Sequence, residues 1–263
     1  MKALASIIIP VFNKLEYTKA CLDSILKDSA RPPLEIIVVD NGSTDGTREY
    51  LEALDRTMIR TDDLLKPIFN TKNLGVAPAW NQGAREAKTE TLAILNNDIL
   101  VTKGWLRSLM WAMETHKLDL VSPFAATGKM DYDLHTRAEK FTEKNLARLW
   151  DDYDFCAFVM PRETFQKIGF FDENFLVGGY EDTDYCYRLR KEKMRYAVTG
   201  AAFIHHFGSS TLGDFKKLGD KHVGHNRDYF VKKWGVDPSH AQNTFFARMR
   251  RSFRKFKMKW DRM

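Results

Sequence analysis

Cysteine is scarce in this sequence, and its few copies are scattered. The 263 residues include three, Cys21, Cys156 and Cys186. Three thiols cannot all pair with one another, and their spacing matches no structural metal site. The sequence therefore excludes a disulfide-stapled scaffold and favours a reducing compartment.

Long apolar runs are absent too. The N-terminal segment MKALASIIIPV has a short apolar stretch that Pro10 interrupts, so we expect no signal peptide there. Nowhere does the chain approach the ~20 apolar residues that a membrane-spanning helix needs. Because 44% of the residues are apolar, the chain can still fill a sizeable core. We expect a soluble or peripheral protein.

Two nucleotide-binding signatures are missing. The sequence contains neither the G-x-G-x-x-G pattern of dinucleotide-binding folds nor the G-x-x-x-x-G-K-[ST] pattern of the P-loop. Dinucleotide-dependent and P-loop functions therefore lose their main support.

Outside residues 244–263 the chain has almost no net charge. The whole sequence carries +6, but this last segment holds eight Lys and Arg residues against Asp261, a net charge of +7. The remaining chain therefore carries −1. Because nucleic-acid-binding proteins usually present a broader basic face, we expect no nucleic-acid partner.

What the sequence does contain is a regular alternation of short apolar runs and helical patterns. Predicted strands cover 6–11, 35–39, 66–69, 92–95, 118–124 and 155–160. Predicted helices cover 14–27, 47–54, 77–87 and 104–116, and a further helix opens at 180–184. This alternation predicts an α/β fold with a mostly parallel sheet and right-handed crossovers.

The second half of the chain is less regular. Residues 127–150 turn polar without a clear period, which predicts an excursion or flap, and 195–198 and 201–204 predict two short strands. We expect one domain over 1–237, with a nucleotide-binding half up to about residue 100 and an acceptor half after it. Residues 238–263, the C-terminal tail, form a separate helical extension in this interpretation.

Polar side chains end one of the buried strands. The apolar run 92–95 stops at Asn96, Asn97 and Asp98. Because ligands bind outside the carboxyl ends of the strands in open α/β sheets, Asp98 could hold a divalent cation, with the amides nearby. The alternative is an Asx turn that simply closes the strand.

Asp40 occupies a similar position at the end of the strand 35–39. The turn that follows contains Gly42 and Gly46, which let backbone N–H groups approach a ligand closely. A carboxylate there can accept hydrogen bonds from a base or a ribose. The alternative is a capped turn with Asp40 on the surface.

Three carboxylates fall within one helical turn after Gly178 and Gly179. Repulsion among Glu181, Asp182 and Asp184 tends to raise at least one pKa, which a helix N-terminus partly offsets. One of them could therefore act as a general base. The alternative is a solvated acidic helix start.

Taken together, these segments resemble the family-2 glycosyltransferases with the GT-A fold. The similarity runs in the family's order over residues 5 to about 211. It rests on SIIIPVFN (6–13), IIVVDNGSTDGT (36–47), NLGVAPAWNQG (73–83), LAILNND (92–98), FDENF (171–175), YEDTDYCYR (180–188) and GAAFIHHFGSS (200–210). An Asn in place of the first Asp of the family's D-x-D motif is similar to rhamnosyl- and galactofuranosyltransferase-like members.

The resemblance implies a role for each matching residue. The nucleotide-sugar would be bound by Pro10, Val11, Phe12, Asn13, Asp40, Asn73, Gly75, Asn81 and Asn97. Asp98 matches the last Asp of D-x-D, with Asn96 at the first position, and His205 matches the family's H-x-x-G-x-[ST]. These would hold Mn²⁺ or Mg²⁺, since imidazole with carboxylate suits Mn²⁺ better than Ca²⁺. His206 should point to the other face, and a structural role for a strand-end histidine is the alternative.

The resemblance also implies the reaction. Asp182 would be the catalytic base, with Tyr180, Glu181 and Asp184 on the acceptor side. The expected activity is an inverting transfer of a sugar from a UDP- or dTDP-linked donor to a hydroxyl of a lipid-linked or growing polysaccharide acceptor. The alternatives are a nucleotidyltransferase and a catalytically silent, membrane-associated nucleotide- or glycan-binding module.

The C-terminal tail has an amphipathic pattern. On a helical wheel one face collects Phe245, Phe246, Met249, Phe253, Phe256 and Trp260, and the eight basic residues lie outside it. This separation predicts a helix lying on an anionic membrane, and hence a cytoplasmic protein peripheral to the cytosolic face. The alternatives are a helix packed on the domain and a nucleic-acid-binding tail.

Overall fold

A single mixed sheet runs through the part of the chain that the structure describes. The computed structural model describes residues 3–28, 32–58, 63–208 and 221–237, together with Phe253, Phe256, Lys257 and Trp260. The strands are β1 (Ala5–Val11), β2 (Leu34–Asp40), β3 (Leu64–Phe69), β4 (Thr91–Leu95), β5 (Ile99–Val101), β6 (Leu120–Thr127), β7 (Leu149–Trp150), β8 (Ala157–Pro161) and β9 (Tyr196–His206). The helices are α1 (Leu15–Leu26), α2 (Thr47–Met58), α3 (Val76–Glu86), α4 (Trp105–His116), α5 (Leu134–Asn145), α6 (Arg162–Ile168), α7 (Glu181–Lys191) and α8 (Lys221–Trp234).

The strand order is β3-β2-β1-β4-β8-β6-β9-β5, with β7 paired to β9. The first four strands are parallel. β8 runs antiparallel to both β4 and β6, and β6 and β9 are parallel to each other. The predicted α/β fold, a large mostly parallel sheet flanked by helices, is confirmed.

Apolar strands explain why helices cover both faces of this sheet. Every residue of β2 is buried, as expected for a parallel strand with no face toward water. On one face the core is completed by α1 and α4, and on the other by α3 and α7. The carboxyl ends of the parallel strands are left open between these layers.

The polar segment 127–150 contains a helix that the sequence analysis missed. Asp133 caps the N-terminus of α5 by accepting a hydrogen bond from the Thr136 N–H at 2.8 Å. The buried residues of α5 are Leu134, Ala138, Phe141 and Asn145, which share one face of the helix. Because most of the 12 residues of α5 are polar, this narrow apolar stripe was hidden by the composition.

β9 is one long strand and not the two short ones predicted. Gly200, which falls between the two predicted strands, lies inside it, and a side-chain Cβ there would come within 2.1 Å of the Asn145 backbone oxygen. The glycine therefore lets α5 approach the strand, and the strand continues through it.

The described residues of the C-terminal tail pack on the domain. Phe253 is 5% exposed and belongs to an apolar cluster with Phe124, Phe141 and Phe203. Phe256 and Trp260 pack against the same cluster. For these three side chains the membrane-facing role was wrong, because they cover β6, α5 and β9 instead. Phe245, Phe246 and Met249 lie outside the described residues.

Within the described ranges, no helix has the length and hydropathy needed to cross a membrane.

Candidate active site

A cleft of about 340 Å³ opens at the carboxyl ends of β1, β2 and β4. Among the sequence-predicted residues it is lined by Pro10, Val11, Phe12, Asn73, Gly75, Asn96, Asn97, Asp98, Glu181 and Asp182. The cleft is also lined by residues to which the sequence gave no role in the site, namely Asn41, Val76, Trp80, Asp154, Phe155, Cys156, Val177, Gly178, Gly179 and, on β9, His206. The structure thus brings most of the predicted residues to one place.

Asn13 and Asp40 hold the loops at one end of the cleft. Asn13 donates its backbone N–H to Ser43 Oγ at 2.7 Å, and its Oδ1 accepts from the Thr44 N–H at 2.8 Å. Asp40 is 2% exposed, and its Oδ1 accepts from the Ser43 N–H at 3.0 Å. Asp40 therefore caps its turn from a buried position, and the alternative of a surface carboxylate does not apply.

Next to these loops, Gly75 allows a close contact between two walls of the cleft. Its φ is +98°, and a Cβ there would lie 3.2 Å from the backbone of Val177. The neighbouring Val76 N–H donates to the Val177 oxygen at 2.8 Å. Asn41 Nδ2 donates to the Gly75 oxygen at 3.0 Å. These bonds join the β2 end, the start of α3 and the loop before α7.

Asn81 is not brought to the cleft. It is fully buried in α3, where its Nδ2 donates to the Phe171 oxygen and its Oδ1 accepts from the Phe171 N–H, both at 2.9 Å. The side chain clamps the loop 171–173 to α3, and Asn81 is not among the residues that line the cleft.

At the centre of the cleft Asp98 faces a histidine. The contact joins Asp98 Oδ1 and His206 Nε2 at 3.2 Å, and β5 holds the two in place because Ile99 pairs with His206. His205, which the sequence favoured, lies on the opposite face of β9. There it is 1% exposed and its Nδ1 is 2.6 Å from the Tyr132 hydroxyl. Successive residues of β9 face opposite sides of the sheet, as expected. However, His206 and not His205 faces Asp98.

The ligand set at this point fits a divalent cation. Asp98 offers a carboxylate, His206 an imidazole and Asn96 an amide oxygen, and all three line the cleft. Nitrogen and oxygen donors together suit Mn²⁺, and the oxygen donors suit Mg²⁺. In the described part of the chain no group of three or more His, Cys, Asp or Glu side chains converges as a metal site. A cation here would therefore need further ligands from a bound substrate.

The acidic start of α7 faces the same cleft. Burial, followed by the charge of Asp182, raises the pKa of Glu181 to about 8. Burial also raises the pKa of Asp182, against hydrogen bonds from the N–H and hydroxyl of Thr183 to its Oδ1 at 2.6 and 3.1 Å. Because these bonds favour the ionised form of Asp182, the pair is best described as a protonated Glu181 beside an Asp182 carboxylate.

Two polar atoms of the cleft wall await a partner. Glu181 Oε2 and Trp80 Nε1 are buried, and neither has a hydrogen-bond partner among the described residues. Buried polar groups are normally satisfied, so these atoms mark a wall built to meet a polar ligand.

Asp184 and Tyr180 point away from the cleft. Asp184 is fully buried and accepts from Arg188 Nε and Trp234 Nε1, both at 2.9 Å, while Lys233 Nζ lies 2.7 Å from it. The Tyr180 ring lies 5.7 Å from that of Phe230 on α8. Both residues tie α7 to α8, and the structure does not bring them to the acceptor side of the site.

Asp154 is a cleft residue that the sequence analysis missed. It lies three residues before the start of β8, and its Oδ1 accepts from the Cys156 N–H at 3.2 Å. Because β8 is antiparallel to β4, the start of β8 lies at the same edge of the sheet as Asn96, whose N–H donates to the Cys156 oxygen at 2.8 Å. A prediction of that antiparallel pairing would have been needed to find it.

Comparison with known sequences supports this arrangement. The sequence profile of the family described as "Glycosyl transferase family 2" matches residues 6–183. That interval contains the cleft residues from Pro10 to Asp182 and stops before β9.

The chain is also similar to several curated proteins. It is 26% identical to chondroitin synthase of Pasteurella multocida over 76% of this chain and 24% of that protein. It is 26% identical to glycosyltransferase AglE of Haloferax volcanii over 74% and 64%. It is 33% identical to the putative teichuronic acid biosynthesis glycosyltransferase TuaG of Bacillus subtilis over 37% and 36%. The chain thus spans between 24% and 64% of the length of these relatives.

Solved structures share the fold. The mannosyltransferase PcManGT from Pyrobaculum calidifontis, in complex with GDP-Man and Mn²⁺, gives a TM-score of 0.65 at 18% identity over 88% of this chain and 65% of that one. GalNAc-T7 with UDP, GalNAc and Mn²⁺ gives 0.61 at 16% identity over 78% and 44%. TarS of S. aureus with UDP-GlcNAc gives 0.60 at 15% over 91% and 75%.

Proposed function

The chain belongs to glycosyl transferase family 2, and from this membership we propose a metal-assisted, inverting transfer of a sugar. The donor is a nucleotide diphosphate-sugar, and the acceptor is a hydroxyl of a lipid-linked or growing polysaccharide. One observation carries the proposal. Asp98 with His206 and Asp182 with Glu181 line one cleft at the carboxyl ends of the parallel strands. A leaving group and an attacking hydroxyl could be bound there at the same time.

The nucleotide end of the cleft lies between the β1 and β2 loops. Pro10, Phe12 and Asn41 line it, and Asn13 and Asp40 fix the backbone around it. We propose a UDP- or dTDP-linked donor, as the sequence motifs imply. TarS was solved with UDP-GlcNAc, which supports a pyrimidine base. Because PcManGT was solved with GDP-Man, a panel of donors must also include nucleotide-sugars with purine bases.

Asp98, His206 and Asn96 would hold Mn²⁺ or Mg²⁺, as their donor atoms fit. When bound, the cation would stabilise the negative charge that develops on the leaving diphosphate. Both PcManGT and GalNAc-T7 were solved with Mn²⁺, which supports this part of the proposal.

Asp182 is the proposed general base. Its carboxylate would take the proton from the acceptor hydroxyl as the hydroxyl oxygen attacks the anomeric carbon. The Thr183 hydrogen bonds fix one carboxylate oxygen, and the other is left for the acceptor. Inversion follows if the hydroxyl attacks from the face opposite to the diphosphate.

The test is incubation with a panel of nucleotide-sugars and an oligosaccharide acceptor, with detection of free nucleoside diphosphate and NMR of the product's anomeric proton. Transfer with an inverted linkage is expected. Release of pyrophosphate instead would point to a nucleotidyltransferase. Donor binding without any turnover would point to a silent binding module, an outcome for which Asn96 in place of a carboxylate is the supporting feature.

A substitution tests the base separately. Asp182→Asn should lower the transfer rate by about 10³-fold, in the middle of the range for general bases. Donor affinity should be nearly unchanged, because the carboxylate acts on the acceptor. Exposed Asp151→Asn is the matched control, and a parallel loss of donor affinity in Asp182→Asn would rule out the assignment.

A further inference from the structure

Lys257 of the C-terminal tail contacts a carboxylate that lines the cleft. Phe253, Phe256 and Trp260 anchor the tail in the apolar cluster of β6 and α5. Trp260 also accepts a hydrogen bond at its backbone oxygen from Arg137 Nη2 at 2.7 Å. Between these anchors, Lys257 Nζ lies 3.1 Å from Asp154 Oδ2, and both side chains are about four-fifths buried. The tail therefore supplies a cation to a carboxylate of the cleft wall.

Asp154 lies beside the groups assigned to both ends of the reaction. The segment 154–156 is hydrogen-bonded to the turn that carries Asp98, through the Asn96 N–H and the Cys156 oxygen. Asp154 also lies close enough to Asp182 for its charge to raise the pKa of that carboxyl, after the larger effect of burial. Under the proposed function, the transferred sugar must lie between the diphosphate and the base. Asp154 therefore borders the sugar.

The contact with Lys257 keeps the Asp154 carboxylate ionised and fixed. Burial alone would raise the pKa of Asp154, but the charge of Lys257 and the Cys156 hydrogen bond hold it below its ordinary value. An ionised carboxylate is a strong acceptor for hydroxyl donors, and sugars present several of these. Because Lys257 takes one oxygen and the Cys156 N–H the other, the remaining lone pairs have defined directions.

We propose that Lys257 is a positioning residue for the transferred sugar. It holds Asp154 at the cleft wall so that the carboxylate accepts hydrogen bonds from hydroxyls of that sugar. The C-terminal tail is accordingly part of the active site. This inference rests on the proposed function, and it concerns the sugar and not the nucleotide.

The experiment measures sugar-dependent affinity. Lys257→Met keeps the apolar stem and removes the charge, Lys257→Arg restores the charge, and exposed Lys144→Met is the control. Calorimetric titration with UDP alone and with UDP-sugars gives the part of the affinity that the sugar contributes. Lys257→Met should weaken UDP-sugar binding about tenfold, as expected when a buried charged hydrogen-bond partner is lost, and should change UDP binding less than about twofold. Lys257→Arg should recover most of the loss.

A double-mutant cycle shows whether the lysine acts through Asp154. In an Asp154→Asn background, Lys257→Met should have little further effect on UDP-sugar affinity, because the two residues form one unit. This comparison remains informative if Lys257→Met lowers the unfolding temperature, since a purely structural loss would weaken UDP and UDP-sugar equally.

Three results would overturn the inference. These are equal losses for UDP and UDP-sugar, additive effects of the two substitutions, and a rise in transfer rate on removing Lys257, which would make the tail an inhibitor. Failure of the wild-type chain to bind any nucleotide-sugar would instead overturn the proposed function, and this inference with it.

Discussion

Two adjacent histidines at the end of β9 have opposite surroundings. His206 faces Asp98 across the cleft, whereas His205 is packed against Tyr132 and lies 4.6 Å, between ring centres, from Phe207. Because a strand alternates its faces at every residue, neither can replace the other. Their substitution should separate metal binding from stability.

We expect His206→Ala to weaken Mn²⁺-dependent binding of UDP by at least about tenfold, a typical effect of disturbing a metal site. His205→Ala should instead lower the free energy of unfolding by about 2 kcal/mol, because it removes a buried imidazole together with its hydrogen bond to the Tyr132 hydroxyl. Titration of UDP with and without Mn²⁺, and urea unfolding, measure the two effects. A larger metal-dependent loss in His205→Ala would reverse the assignment.

A second prediction at the scale of a residue concerns Glu181 and the pH dependence of stability. Its pKa is raised from the usual 4.5 to about 8 by burial and by the charge of Asp182. Between about pH 4.5 and pH 8, Glu181 therefore keeps a proton in the folded state that it has lost in the unfolded state. The stability contribution is fully present below about pH 4.5 and is lost as the pH rises through about 8.

Glu181→Gln removes this titration while keeping a neutral side chain of the same shape. Relative to the wild type, the variant should gain stability as the pH rises from 5 to 8.5, by on the order of 2 kcal/mol. Urea unfolding of both proteins across this range tests the prediction. A constant difference between them at all pH values would show that Glu181 is ionised in the folded state.

The sequence-predicted residues that the structure brings to the cleft share one property. Pro10, Asn97, Asp98 and Asp182 lie at strand or helix ends that the apolar pattern marks locally. Asp154 was missed because its position depends on β8 pairing antiparallel to β4, a non-local fact. The alternation of His205 and His206 was predictable from the period of two, but which face is the cleft depends on the register with β5.

At the scale of elements, α5 and β9 depend on each other. α5 packs where β9 passes Gly200, and the Gly200 N–H donates to the Arg148 oxygen at 2.9 Å just beyond the helix. The sequence predicted neither element in full. The helix was hidden by its polar residues, and Gly200 lies in the gap between the two strands that were predicted, where it permits a close approach.

The contact predicts that Gly200→Ala is destabilising. Its Cβ would meet the Asn145 backbone oxygen at 2.1 Å, and a backbone atom cannot move aside cheaply. We expect a loss of about 3 kcal/mol in the free energy of unfolding, at the upper part of the range for overpacking.

Gly224→Ala is the matched control, because a Cβ there meets nothing within 4 Å. It lies in α8, so alanine should raise stability by about 0.5–1 kcal/mol through its helix propensity. Urea unfolding of the two variants decides the matter, and equal stability of Gly200→Ala and wild type would mean that β9 shifts to make room.

At the scale of the whole molecule, the described residues of the C-terminal tail pack on the domain. The alternating pattern was sufficient to predict the parallel half of the sheet, because each strand and its helix are neighbours in sequence. The amphipathic pattern of the tail was equally visible, but a pattern of this kind indicates an apolar face without indicating what covers it. In the structure the cover for Phe253 and Phe256 is a cluster of aromatic rings, including Trp150 at 5.4 and 4.9 Å between ring centres.

This packing changes what we expect at a membrane. The side chains of Phe253, Phe256 and Trp260 are occupied within the protein, so their burial in lipid is not available to hold the protein there. The basic residues of 244–263 are the other source of affinity, apart from Lys257, which is paired with Asp154. The attraction to the cytosolic face that we propose therefore takes nothing from these three side chains, and its electrostatic part amounts to about 1 kcal/mol per basic residue near the surface.

Binding to anionic vesicles should accordingly fall to the level of neutral vesicles as salt rises toward 1 M, where the Debye length is ~3 Å. Phe253→Glu should lower the unfolding temperature, because it places a charge in the core, and should leave low-salt vesicle binding of the folded fraction nearly unchanged. Truncation after Asn243 should abolish vesicle binding and also weaken UDP-sugar affinity through the loss of Lys257. Vesicle sedimentation at several salt concentrations checks this. A fraction of binding that resists 1 M salt and disappears in Phe253→Glu would show that these aromatic side chains leave the domain to enter the lipid.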